Sequence, residues 1–293
     1  MDVAPLVTGP TPIRRLAEHV WIKDESDRWG LPAFKVVGAS YAVERALERT
    51  PDATALVAAS AGNHGRAVAH LARQHGLACR VFVPERSLAV RRDAIAGEGA
   101  EVVVVDGSYE DAVRAADAAA ADPWTLLIAD VGDSASAHDV IDGYATLFAE
   151  LAEQLPDLDV VLVPVGVGSL AAAAARFGKA NGVAVVGVEP ADAACLTAAL
   201  AAGEPVRIDT PGTVMAGMDC AEVSPAAWPD LRDGIATTIL VRDDELPAAI
   251  AELERAGMLA GECAASTVVA WHRLDPPAGT RVALIGTEGR TGY

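Results

Sequence analysis

The chain carries only three lysines, Lys23, Lys35 and Lys179, so chemistry that needs a primary amine has three places to occur. Lys35 follows Leu31-Pro32-Ala33-Phe34. That apolar approach desolvates an ammonium, lowers its pKa and leaves an amine able to condense with a carbonyl group. Lys23 lies in a run of alternating charge and is expected to be solvated. Lys179 falls near the end of an alanine-rich stretch, where a cation suits the C-terminal end of a helix dipole.

Two glycine-rich loops could hold a ligand for that amine. In Ser60-Ala61-Gly62-Asn63-His64-Gly65, Asn63 can donate to a hydroxyl or carboxylate, or Ser60 or Asn63 can simply cap a helix. His64 has no histidine at metal-ligand spacing, since His70 and His75 lie six and eleven residues on. In Gly166-Val167-Gly168-Ser169-Leu170, glycines let the backbone approach an anion where a helix N-terminus presents free N–H groups, and a phosphate is the natural guest. The same stretch fits a dinucleotide fingerprint, Gly166-x-Gly168-x-x-Ala171, with Glu189 placed 23 residues later. An NAD-dependent oxidoreductase is therefore one reading of the loop. Asp130, in Ala129-Asp130-Val131, is either a carboxylate available for acid–base work or a helix cap or turn residue after a strand.

The elements that must position these groups alternate along the chain. Apolar, β-rich runs at Ala55–Ala59, Cys79–Val83, Val102–Val105, Leu126–Ala129, Val160–Val165, Val183–Val188, Thr237–Val241 and Val282–Ile285 predict strands. Between them, Asn63–Gln74, Arg91–Gly97, Tyr109–Ala121, Gly143–Gln154 and Leu170–Asn181 predict helices. Such alternation implies an α/β fold with mostly parallel sheets covered by helices, and ligands then sit at the carboxyl ends of strands.

Composition narrows the partners. The 293 residues are 52% hydrophobic and 22% charged, enough to bury a large core. Forty-one acids against 23 bases leave a net charge of −18, which repels nucleic acid and anionic membrane surfaces. The longest uncharged run, Val160–Ala175, is interrupted by Pro164, Gly166 and Gly168 and is too short to span a bilayer. The N-terminus shows no export signal, and the four cysteines form no Cys-x-x-Cys, so a cytoplasmic protein without a metal site is expected.

Taken together, the segments carry a resemblance. Lys23-Asp24-Glu25-Ser26, Gly30-Leu31-x-Ala33-Phe34-Lys35, Gly62-Asn63-His64-Gly65-Arg66, Met215-Ala216-Gly217-Met218-x-Cys220, Trp228-x-x-Leu231-Arg232, Gly261-Glu262 and Thr287-Glu288-Gly289 are similar to motifs of pyridoxal-phosphate enzymes. The class they resemble is fold type II, the tryptophan-synthase-β-like group, and the nearest member family is diaminopropionate ammonia-lyase. The resemblance implies that Lys35 holds pyridoxal 5'-phosphate through its amine. It also implies that Gly166, Val167, Gly168, Ser169 and Leu170 cradle the phosphate, Asn63 bonds the ring hydroxyl, Thr287 faces the pyridine nitrogen and Asp130 stands near the substrate. A neutral threonine at the ring nitrogen suits elimination better than transamination.

The implied organisation is a smaller domain over residues 38–144 and a larger one from 1–37 and 145–293, in a cytoplasmic homodimer acting on a small amino acid. The implied reaction is β-elimination of ammonia from 2,3-diaminopropionate or a close β-substituted amino acid. Serine or threonine dehydration and β-replacement are the alternatives. The chain departs from the family in two ways. It is shorter at the N-terminus, between Lys35 and Ser60 and after Thr291, and it has Ala61 where the family has an aspartate. Ser60-Ala61-Gly62-Asn63-His64 is also similar to serine and threonine dehydratases. Relatives with two aspartates are implied to act on both enantiomers of the substrate, so Ala61 implies action on one, the L form.

Overall fold

A computed structural model describes residues 9–290. The chain opens with an antiparallel pair, β1 (Ile13–Ala17) and β2 (Val20–Asp24), and then α1 (Lys35–Arg49). Next come β3 (Ala55–Ala59), α2 (Asn63–His75), β4 (Ala78–Pro84), α3 (Ala89–Gly97), β5 (Glu101–Val105), α4 (Tyr109–Ala119) and β6 (Thr125–Leu127). Helices α5 (Ala135–Gly143) and α6 (Ala145–Gln154) lead to β7 (Val160–Pro164), α7 (Ser169–Asn181), β8 (Ala184–Pro190) and α8 (Cys195–Ala202). The last elements are α9 (Trp228–Gly234), β9 (Ile235–Val241), α10 (Leu246–Arg255), α11 (Glu262–Leu274) and β10 (Val282–Gly286).

The strands form two sheets. One has the order β1-β2-β10-β7-β8-β9 and the other β5-β4-β3-β6, and every pairing except β1 with β2 is parallel. Alternation along the strands fills both faces. Val161 and Val163 of β7 join Ala283 and Ile285 of β10 in a cluster with α7, while Leu162, Val282 and Leu284 face a second cluster with α11. In the smaller sheet Leu56 and Val81 join the first cluster and Val57 and Phe82 pack under α4. Strands buried on both faces are why these runs read as continuously apolar.

The structure departs from the sequence expectations in a few places. The expected helix Gly143–Gln154 is present as α6, and a further helix that the sequence reading does not include, α5, precedes it and meets it at Tyr144. Helix α5 packs closely on α1: a Cβ on Gly143 would lie 2.7 Å from Tyr41 Cβ and 2.9 Å from Gly38 Cα. A Cβ on Gly38 would in turn lie 2.6 Å from the Tyr144 ring. The strand expected at Leu126–Ala129 ends at Leu127, which leaves Asp130 in a loop. Among the described residues no helix is long and apolar enough to cross a membrane, and no group of three or more His, Cys, Asp or Glu could hold a metal ion.

Candidate active site

The candidate residues gather where strands end. Lys35 is the first residue of α1, reached from the carboxyl end of β2 through residues 25–34. That segment is stitched to the carboxyl end of β10. Glu25 N–H donates to Gly286 O at 2.9 Å, Phe34 N–H to Thr287 O at 3.1 Å and Gly289 N–H to Pro32 O at 2.9 Å. Asn63 follows β3, Asp130 follows β6 and residues 166–170 follow β7. Five strand ends from two sheets thus supply one site, as parallel α/β folds allow.

Lys35 Nζ donates to Asp130 Oδ2 at 2.9 Å, with side chains 20% and 13% exposed. The expectation of a lowered lysine pKa is corrected here. Burial does pull the ammonium downward, but the Asp130 carboxylate outweighs it and holds Lys35 above its ordinary value. Burial likewise pushes the Asp130 carboxyl up, and the neighbouring His64 and Lys35 pull it well below the carboxylate range. His64 is buried, its Nε2 bonded to Ile128 O at 2.8 Å and its Nδ1 3.8 Å from Asp130 Oδ2. Burial keeps the nearby Cys220 thiol protonated by pushing it up to about 12.

Lys23 is not solvated. It is fully buried and donates to Glu150 Oε2 at 2.7 Å, Gln154 Oε1 at 2.8 Å and Thr11 O at 2.9 Å. Arg28 completes this knot, with bonds of 2.7–2.8 Å to both oxygens of Glu25 and 2.8 Å to both of Glu150. The run of alternating charge, expected to be solvated, is a self-neutralising buried cluster.

Neither candidate cap reading of the loop residues holds. Helix α2 begins at Asn63 without a side-chain cap, and Asn63 Nδ2 donates instead to Glu288 Oε2 at 3.0 Å. The side chain capping α5 is Ser134, not Asp130. Ser169 Oγ, at the first turn of α7, donates to Asp130 O at 3.0 Å and ties the 166–170 loop to the aspartate. Gly168 precedes α7 with φ +96°, a left-handed conformation in which a side chain is strained. A Cβ there would lie 2.5 Å from Leu231 Cδ1, and one on Gly166 2.6 Å from Gly217 O. The glycines therefore answer to backbone shape and protein packing as well as to any anion at the helix end.

Several buried polar atoms here have no partner in the protein: Asn63 Oδ1, His64 Nδ1, Tyr144 Oη and Thr287 Oγ1. Buried groups left open in this way cost stability unless a ligand or water meets them. A primary amine, a glycine-bracketed helix N-terminus, and an amide and a hydroxyl with unused bonding capacity are the donor set that a phosphorylated pyridine aldehyde requires. The residues fit pyridoxal phosphate. The 166–170 N–H groups can receive the phosphate, Lys35 the aldehyde carbon, and Asn63 and Thr287 the ring's polar atoms.

A family model described as "Pyridoxal-phosphate dependent enzyme" matches residues 4–288. The chain belongs to this family. It is 32% identical to the diaminopropionate ammonia-lyase of Salmonella typhimurium, over 96% of this chain and 85% of that protein. It is 33% identical to the biosynthetic L-threonine dehydratase of Haemophilus influenzae, over 86% of this chain. The chain spans about half the length of that dehydratase, the match covering 48% of it. Among solved structures it resembles diaminopropionate ammonia-lyase from Escherichia coli in complex with D-serine, with a TM-score of 0.86 at 26% identity, covering 97% of this chain and 86% of that one. The fold is type II and the cofactor pyridoxal phosphate.

Membership in the pyridoxal-phosphate family corrects the dinucleotide reading, and the structure gives the physical reason. Glu189 is fully buried and accepts bonds from Leu196 N–H at 2.7 Å, Thr197 N–H at 2.9 Å and Thr197 Oγ1 at 2.6 Å. It is consumed in capping α8 and cannot reach a ribose. Sequence reasoning had passed over His64, Tyr144 and Glu288 as possible parts of the site. The signal for His64 is its place beside Asn63. Nothing in the local sequence brings Tyr144 or the Asn63–Glu288 contact to Lys35.

Proposed function

We propose that this pyridoxal-phosphate enzyme eliminates ammonia from 2,3-diaminopropionate or a close β-substituted amino acid, giving pyruvate. The observation that carries the reading is the Lys35–Asp130 pair. It puts an ionised carboxylate beside the one amine of the site, where a substrate with a second ammonium group gains an anionic partner. The bound cofactor supplies an electron sink for the charge left at the substrate Cα.

The protein groups have separable tasks. Lys35 would hold the cofactor through its amine, and as a free amine it would be a base at the substrate Cα. Asp130 holds the ammonium of Lys35 or of the substrate and accepts a proton at Oδ2. Thr287 would offer the ring nitrogen a neutral hydroxyl, which would draw less charge into the ring than a carboxylate. Asn63 would orient the ring hydroxyl, and the start of α7 would receive the phosphate. Tyr144 and Phe34, with ring centroids 5.0 Å apart, flank the amine, Lys35 Nζ lying 5.5 Å from the centre of the Phe34 ring. The cleft then lies between a smaller domain over 38–144 and a larger one from 1–37 and 145–293.

Serine or threonine dehydration is the second reading, favoured by Ala61, which supplies no second carboxylate beside Asn63. Stoichiometry separates the two. Diaminopropionate and water yield pyruvate and two ammonia, serine yields pyruvate and one, and threonine yields 2-oxobutyrate and one. Initial rates on a panel of these amino acids, with ammonia and oxo-acid both counted, test the proposal. A kcat/KM for serine or threonine above that for diaminopropionate would overturn it.

A further inference from the structure

We infer that His64 is a positioning residue that shares a proton with Asp130, so that the site is a chain of three groups, Lys35–Asp130–His64. The inference stands on the bonding of the imidazole. Nε2 lies 2.8 Å from Ile128 O, a backbone carbonyl that can only accept, so Nε2 must carry a hydrogen. Nδ1 is buried without a partner and lies 3.8 Å from Asp130 Oδ2, the same oxygen that receives Lys35 Nζ. If Nδ1 were bare, two lone-pair acceptors would face each other out of reach of water, with nothing to offset their repulsion. A proton on Nδ1, directed at Oδ2 and closing the gap by a small side-chain shift, removes the conflict.

The placement is enforced locally. A Cβ on Gly65 would lie 2.2 Å from Ser60 O, so the turn that delivers His64 closes only with glycine at that position. The next residue along the chain from Asn63 is thereby directed away from the ring-binding side and behind the aspartate. Other titratable groups around Asp130 are Lys35 from α1, Tyr109 from α4, Tyr144 between α5 and α6, and Cys220 after the 216–218 turn. Burial raises Tyr109, Tyr144 and Cys220, so all three stay neutral near pH 7 and none competes for the proton. His64 therefore decides whether Asp130 meets the substrate as a bare or a half-neutralised carboxylate. This holds whichever β-substituent leaves.

The direct test is the nitrogen spectrum of histidine-labelled holoenzyme, which reports tautomer and protonation without turnover. The chain has six histidines, and loss of one signal in His64→Gln assigns it. The expected result at pH 7.5 is protonation at both ring nitrogens of His64, with Nδ1 reverting to a bare lone pair in Asp130→Asn. A bare Nδ1 in the wild-type holoenzyme would overturn the inference. A pair of substitutions tests the coupling. His64→Gln can keep the bond to Ile128 O but presents nothing to Asp130, whereas His64→Asn can present an amide N–H to Asp130 and loses the anchor. The expectation is a shift of the acid limb of the kcat/KM profile by at least one pH unit in His64→Gln, with partial restoration in His64→Asn. Superimposable profiles for wild type and His64→Gln would reduce His64 to a strut.

Discussion

Two lysines twelve positions apart are handled in opposite ways. Lys23 has three oxygen acceptors within 2.9 Å and no exposed surface, and its neighbours Arg28, Glu25 and Glu150 have their own bonds satisfied within the same cluster. Lys35 has one acceptor, Asp130 Oδ2, together with partial exposure and a surround of unpartnered Asn63, His64, Tyr144 and Thr287 atoms. A charge that only supports the fold is saturated, because each unmet donor in the interior is a penalty. A charge that must exchange partners is left under-bonded, and the packed framework carries the cost.

The largest break in this contrast is Lys35→Ala. Turnover should fall by about 10³-fold or more, as when a covalent anchor is lost. The visible absorbance of the lysine-bound cofactor should vanish, while the thermal unfolding midpoint changes little. Lys23→Met should do the reverse. It strands Gln154, Thr11 O and half of Glu150, and removing one partner of a buried pair costs about 3–5 kcal/mol. Denaturant unfolding should show that loss, while the cofactor spectrum of the remaining folded protein is unchanged. A Lys23→Met protein as stable as wild type would mean that saturation is not what distinguishes the two.

Asp130→Asn should retain cofactor and cut elimination by about 10²-fold, the scale of one general acid or base. The pH dependence of stability sharpens the framework side. Burial raises the Glu150 carboxyl, but Arg28 and Lys23 more than offset this and hold it below its ordinary value. Its contribution is therefore present above about pH 4.3 and is lost as pH falls through the lowered folded value. Unfolding free energies of wild type and Glu150→Gln should differ at pH 7 and converge below pH 4. The smallest effect expected is at Ala61, half-buried against the main apolar cluster. Initial rates on pure enantiomers should show one, the L form, turned over. Ala61→Asp should recover weak D activity, and comparable wild-type rates on both enantiomers would remove Ala61 from the choice of face.

The inner strands β3, β4, β7, β8 and β10 were legible because burial on both faces makes them apolar runs. The antiparallel pair β1–β2 was not, since Ile13–Ala17 is half-exposed and Val20–Asp24 hides its lysine in the knot. Lys35, Asn63 and the 166–170 loop were legible because scarcity and glycine spacing mark them in one dimension. Asp130 could be read two ways until the position of Lys35 was known. The roles of Lys23 and Glu189 were misread for one reason: a charged residue in an apolar context announces burial, but not which distant partners meet it. Glu150 is 127 positions from Lys23, and no local pattern connects them.

The crossing of α1 and α5 has a consequence for heredity. Every single-base change in a glycine codon that yields another residue adds a Cβ, and at Gly38 or Gly143 that atom would fall within 2.7 Å of the other helix's atoms or its adjoining tyrosine. Gly38 lies one helical turn from Lys35, so the displaced backbone would carry the amine with it. No one-step mutation crosses this point, and the chain can change there only by remodelling both helices together. Drift can rewrite the surface of this enzyme freely while the distance between its amine and its aspartate stays inherited.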